Sequence, residues 1–339
     1  METRKLQEVG GGTFTVSIPK EWATEHSFEV GMQLQLYTHR DGSILIRSSE
    51  ADVSRLDDAT VTVDEGGPDA VGRLVRLTHE LGFETITLRR DEPFSDAERN
   101  AARAAARDLV GTNVTAEADR AITVRQLLDT SSVSICQSIV QLQYVVVSLL
   151  CDAVEAFFDA ADAGTRIRER AAEAHRSVAM VTRHFCRSLV SHAELDALDV
   201  SRAELFAYYA TANRLGTVAD HAVRIATAGA RLSEPPAAET GTELRAVSDD
   251  AAEGVDDAVT AVLSEDAGQA RQARRRCDDA LDALDALEDR LYDGSLTGSV
   301  PAAAALSETL SNLRRVADCG QSVADIATRA AIRDANVDL

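Results

Sequence analysis

The chain has 339 residues, with 56 acids against 35 bases and a formal net charge of −21. That length exceeds what one core usually serves, so two or three domains are expected, and the charge sets most of the surface against polyanions. Five cysteines, Cys136, Cys151, Cys186, Cys277 and Cys319, stand far apart without C-x-x-C spacing, which argues against both a zinc site and a disulfide framework.

The start, Met1 to Lys5, is polar and carries no apolar leader, so a soluble cytoplasmic protein is expected. From Arg4 to Ser48 the pattern is β-rich. Phe14, Val16 and Ile18 alternate with Thr13, Thr15 and Ser17, as a half-buried strand requires. Pro19 suits a first helical position, and Trp22 is expected to pack at the helix–strand junction. After Gly31, Leu34 and Leu36 alternate with Gln33 and Gln35, and Asp41-Gly42 marks a hairpin turn before Ile44 to Arg47. So small a module buries little core alone, which makes dimerisation the expected remedy. Met1 to Ser48 holds five bases and six acids, net −1, leaving −20 for the rest, and it contains both lysines, Lys5 and Lys20. A polyanion is therefore expected to meet this end of the chain.

Residues 58–125 read as strand, helix, strand, helix, strand, strand, a small α/β connector with turns at 64–68 and 91–93. From Gln126 onward the pattern is helical. The window from Thr130 to Cys151 is uncharged and long enough to cross a bilayer, but Gln137, Gln141 and Gln143 make it too polar for a lipid-facing helix. Three long helices are expected on each side of a break at Ser233-Glu-Pro-Pro-Ala-Ala. Within the first set, Asp162-Ala-Gly-Thr165 is expected to end one helix and cap the next, and Ser201-Arg-Ala-Glu204 to form a capping box. The second set is placed at roughly 240–263, 265–292 and 301–333, with Leu281, Leu284, Leu287 and Leu291 as a core seam. Leu215 to Asp220 followed by Ile225-Ala226 matches Leu313 to Asp318 followed by Val323-Ala324 at an offset of 98, an internal repeat L-x-x-V-A-D-x-x-x-x-[IV]-A.

These features carry two resemblances. The helical half, 126–335, resembles the PhoU family of phosphate-uptake regulators, through the repeat and Val218 to Ala226. The resemblance implies two three-helix bundles, 126–232 and 238–335, and a metal cluster held by an E-x-x-x-D motif whose carboxylates share a helix face. Asp220 and Asp318 match the Asp of that motif, whereas its Glu positions are Gly216 and Arg314. A divalent or ferric metal at these eroded sites is therefore weighed against surface ion pairs, Asp220 with Arg224 and Arg314 with Asp318. The opening module, 1–50, resembles the SpoVT/AbrB-like swapped-hairpin family through Arg4-Lys5-Leu6, Gly10, Val16-Ser-Ile-Pro19, Gly31 and Asp41-Gly42. That resemblance implies an intertwined homodimer whose basic residues touch DNA, here Arg4, Lys5, Lys20, Arg40 and Arg47. Basic positions usual in that family are replaced by Gly11, Gly12 and Thr13 and by Trp22-Ala23. Two lysines beside thirty-three arginines within an acidic chain also resemble the composition of halophile proteins, in which high salt weakens phosphate contacts made through counterion release.

The expected fold is multidomain α+β: a swapped-hairpin β module, a small α/β connector and an all-α half of two three-helix bundles. No nucleotide loop or catalytic constellation is visible, since Gly10 to Gly12 lacks a helix behind it and His175, His184 and His192 lie eight or nine residues apart, so no enzyme is expected. The expected function is a dimeric DNA-binding regulator of phosphate uptake whose bundles contact a transporter or signalling component. Its alternatives are an adaptor that does not bind DNA and a paralogue controlling another process.

Overall fold

The computed structural model describes residues 3–38, 42–48, 56–64, 66–128, 134–158, 163–232, 236–297 and 299–337. The chain divides into two compact units, Met1–Arg55 and Leu56–Leu339.

The first unit holds two separate antiparallel hairpins and a short helix. Strand β1 (Gln7–Val9) pairs with β2 (Thr13–Thr15), Val9 facing Thr13. Gly10 and Gly11, at φ 66° and 70°, make the turn in a left-handed conformation that glycine adopts at little cost, so the glycine run is a hairpin turn. Helix α1 (Lys20–Glu25) follows Pro19, and β3 (Leu34–Thr38) pairs with β4 (Ile44–Ser48). The turn expected at Asp41-Gly42 lies partly outside the described residues. The strand expected through Ile18 stops at Thr15, and its apolar side chains are not half-buried: Phe14 is 67% exposed and Val16 51%. A two-stranded ribbon has nothing to cover either face within one chain, and no described residue of this unit is buried. Trp22 does pack locally, stacked on His26 with centroids 4.4 Å apart and leaning on Phe28.

The second unit opens with β5 (Asp58–Thr62), α2 (Pro68–Glu80), β6 (Thr85–Arg89), α3 (Asp96–Arg107), β7 (Thr112–Ala118) and β8 (Ala121–Gln126). The sheet order is β5-β6-β8-β7, with β5 and β6 parallel and the other pairs antiparallel. Ile86, Leu88, Ile122 and Val124 alternate onto the face that α2 and α3 cover with Val71, Val75, Ala102 and Ala106. Helix α3 begins at a capping box, Ser95 with Glu98, that also anchors the Gly-rich turn before α2.

Among the described residues seven helices follow: α4 (Ile135–Phe158), α5 (Ala163–Ser188), α6 (His192–Leu198), α7 (Arg202–Gly229), α8 (Ala238–Ser264), α9 (Ala267–Tyr292) and α10 (Val300–Val337). The short α6 is an addition to the three long helices expected in the first set. Ser201 caps α7 as expected, accepting from the Glu204 N–H at 3.1 Å while Glu204 accepts from the Ser201 N–H at 2.7 Å. The cap expected at Thr165 is not there: Gly164 and Thr165 lie inside the first turn of α5, where backbone N–H groups have no intrahelical partner to lose, and Asp162 lies outside the described residues. One continuous apolar core runs through both helical sets. Leu284, Leu287 and Leu291 are buried in it, with Leu281 packed at its margin.

The repeat is a packing repeat. Leu215 and Leu313, Val218 and Val316, Ala219 and Ala317, and Ile225 and Val323 are all essentially fully buried. The correspondence reaches back to Thr211 and Thr309, also 98 apart, which are both fully buried with hydroxyls that find no partner among the described residues. Three close helix approaches depend on glycine. A Cβ at Gly229 would sit 2.4 Å from the Phe157 Cα, and Cβ atoms at Gly254 and Gly320 would sit 2.7 and 2.6 Å from the Cys277 Sγ.

Helix α4 is long and apolar enough to span a membrane by composition, yet half of its most apolar window is buried inside the protein. Gln143, one of the glutamines within that window, donates to the Asp256 carbonyl at 3.0 Å and to Thr260 at 3.1 Å, tying α4 to α8.

The α/β region and the helical half belong to one unit, and α5 is the seam between them. Arg183 donates to the His79 and Phe83 carbonyls at 2.9 Å each, at the end of α2, where carbonyls lack helical partners. Arg187 donates to the Gly82 carbonyl at 2.8 Å, Glu84 at 2.6 Å and Glu194 at 2.8 Å, and His184 shares a 2.6 Å hydrogen bond with Glu194. Burial pulls Arg183 down to about 10 and His79 down to about 3, so His79 is neutral here.

Candidate nucleic-acid interface

The described candidate DNA-contacting residues, Arg4, Lys5, Lys20 and Arg47, lie toward the open ends of the two hairpins. Gln7 pairs with Thr15, so the segments carrying Arg4 and Lys5 on one side and Lys20 on the other leave β1–β2 at the same end. All three are exposed, and Lys20 is the first residue of α1. Arg47 sits on β4 opposite Gln35 and is half-buried. Arg40 lies outside the described residues. Register thus brings Arg4, Lys5 and Lys20 to one end of one hairpin and places Arg47 on the other hairpin.

Beside these charges the unit exposes several apolar side chains, among them Phe14 and Leu36, which the alternation assigned to one face of a strand. Leu6, Phe14, Leu36 and Ile44 are each more than 60% exposed. Four such side chains on so small a unit amount to an uncovered apolar surface, the usual mark of an association face. Both the alternation and the smallness of the module, which leaves it little core of its own, were visible in the sequence.

The candidate metal residues are placed otherwise than their pairing in sequence suggests. Asp220 accepts from His175 Nε2 on α5 at 2.9 Å rather than from Arg224. That hydrogen bond holds the Asp220 carboxyl below its usual range, with Arg224 adding charge from one turn away. Arg314 turns away from Asp318 toward α9, pairing with Asp285 at 2.5 Å and Glu288 at 3.0 Å, and Asp318 pairs with Arg315 at 3.4 Å. Neighbouring helices, not the one-turn spacing, decide these partners. His221 hydrogen-bonds Asn312 at 2.7 Å, linking α7 to α10. A Cβ at Gly216 would already be 3.2 Å from Val178, so the position of the missing Glu is close-packed. Among the described residues no three metal-binding side chains converge, and the pair at Asp220 falls short of a ligand set for a hard cation.

Comparison with known proteins agrees with the first unit's reading. Residues 7–52 match the family model of antidote-toxin recognition MazE, bacterial antitoxin, so the N-terminal module is MazE/AbrB-like. A crystal structure of the phosphate transport system regulatory protein PhoU from Streptococcus pneumoniae aligns with 58% of this chain and 96% of that chain, at 17% identity and a TM-score of 0.41. No curated protein matches the chain.

Proposed function

We propose that the protein is a cytoplasmic, dimeric DNA-binding transcription regulator of phosphate uptake, in which the first unit grips DNA and the helical half contacts a transporter or signalling partner. The observation that carries the reading is the MazE/AbrB-like match at residues 7–52, within an N-terminal region whose stretch from Met1 to Ser48 is near-neutral at net −1 in a chain of −21 and holds both lysines. The phosphate assignment rests on the repeat and helix pattern that resemble the PhoU family, and the chemistry of the eroded Asp220 and Asp318 positions supports relay through protein contact rather than through a metal. The few bases imply that geometry and base contacts, more than charge, supply the selectivity.

Genome-wide occupancy of the full-length protein, with and without phosphate limitation, tests it. Selective occupancy near phosphate-uptake genes is expected, lost when Arg4, Lys5 and Lys20 are replaced by Ala. In vitro, each lost phosphate contact lowers the slope of log affinity against log salt by about 0.9. Absence of any selective site, with transcripts unchanged in the triple variant, leaves the adaptor reading in its place. Selective sites elsewhere in the genome establish regulation of another process.

A further inference from the structure

The sheet of the second unit has one uncovered face, and its end is a hollow lined by arginine. Across the four strands Thr62 pairs with Arg89, Arg89 with Ala121 and Ala121 with Ala118, one row on the face opposite Ile86 and Leu88. Beyond this row the turns contribute Arg90, Asp91 and Arg120, and the seven residues line an open hollow of ≈ 370 Å³. We propose that this hollow binds a small phosphate monoester.

Ala118 and Ala121 end at Cβ, so the hollow that Arg89 and Arg120 also line is not filled from the strands beneath it. Both arginines are exposed, and among the described residues neither forms an ion pair, although acids outnumber bases in the chain by 21. Guanidinium forks bind phosphate oxygens through paired N–H donors, and the Thr62 hydroxyl adds a third donor group from the side. Arg90 plays a different part. It is held by Glu98 at 2.7 Å and Glu92 at 3.2 Å and lies over the Phe94 ring, so it walls the hollow without a vacant fork. The helix starts at this end are also spoken for, because Glu98 takes the Gly67 and Ser95 N–H groups at 2.7 and 2.8 Å. Binding must therefore come from Arg89, Arg120 and Thr62. The hollow exceeds what inorganic phosphate fills, and Asp91, the one acid in its lining, offers an acceptor to a hydroxyl on the ester's carbon part while repelling a second anionic group. The inference is independent of DNA binding and of which genes are regulated.

Isothermal titration of the full-length protein with glycerol 3-phosphate, inorganic phosphate and succinate, at constant KCl, tests it. Saturable one-site binding of glycerol 3-phosphate is expected, weaker for the other two. Arg89→Gln and Arg120→Gln each weaken it about tenfold, the scale of a charge-assisted contact. Arg271→Gln, an exposed arginine on α9, leaves it unchanged. Amide NMR shifts confined to Thr62, Ala118 and Ala121 report the site in the unmutated protein. The proposal is overturned by absence of saturable binding, by succinate or inorganic phosphate binding as tightly as the ester, or by equal loss in Arg271→Gln.

Discussion

The two units handle apolar surface in opposite ways. In the first, Phe14 is 67% and Leu36 63% exposed; in the second, Leu215, Leu313, Ile225 and Val323 are sealed by neighbouring helices of the same chain. Stability in the second unit is thus written into one molecule, whereas the first has apolar side chains but no interior. The difference teaches that a hydrophobic pattern states which face wants covering, and chain length decides whether the cover comes from within. A unit of the first kind should behave as a concentration-dependent object, and one of the second kind should not.

The largest expected effect breaks the comparison at its centre. Phe14→Asp with Leu36→Asp should abolish self-association, at about 1.5–3 kcal/mol of lost burial for each side chain, and leave the melting of the second unit unmoved. Sedimentation velocity and calorimetry read the two outcomes separately, and a wild-type protein that is monomeric throughout would remove the contrast. Next, Gly229→Ala drives a methyl group into the Phe157 backbone and should cost about 1–3 kcal/mol or more, independent of protein concentration, in urea unfolding.

Third, Glu98→Gln should cost about 1.5–3 kcal/mol, because one carboxylate serves the Gly67 and Ser95 N–H groups and Arg90. Those backbone hydrogen bonds, Gly67 first, hold its pKa down to about 2 from 4.5. A depressed folded-state pKa gives a contribution fully present above pH 4.5 and lost as pH falls toward 2, so acid titration of stability in that window should be flatter in the variant. The smallest effect has the opposite sign. Thr211→Val and Thr309→Val each remove a buried hydroxyl without a partner and should stabilise the second unit by about 1 kcal/mol in the same urea assay.

Much of the second unit was legible because its residues agree at every level. Thr85 to Arg89 alternates as a one-sided strand should, and the last three helices, placed at roughly 240–263, 265–292 and 301–333, run Ala238–Ser264, Ala267–Tyr292 and Val300–Val337. β1 was missed since Gln7-Glu-Val9 carries a single apolar residue, and only the glycine turn pulls it into a hairpin. Partner choice was missed for a different reason. Spacing along a helix predicts Arg314 with Asp318, but the guanidinium reaches carboxylates on α9, which are nearer in space and remote in sequence. The seam on α5 was equally hidden: Arg183, His184 and Arg187 read as ordinary helical charges until the end of α2 and Glu194 are placed against them. The candidate DNA residues were picked out as the bases of the one near-neutral stretch of the chain, whereas the Arg89–Arg120 hollow depends on strand register, which sequence leaves open.

Cys277, wedged against Gly254 and Gly320, gives the protein a clock. Burial pushes its thiol up to about 12, and no reagent reaches it while α8, α9 and α10 stay together. Cys136 and Cys151 lie exposed on α4 and are available at once. Slow labelling of Cys277, followed at that residue because Cys319 is buried as well, therefore times the parting of the second bundle, and any ligand, operator or partner that tightens those helices will announce itself as a delay.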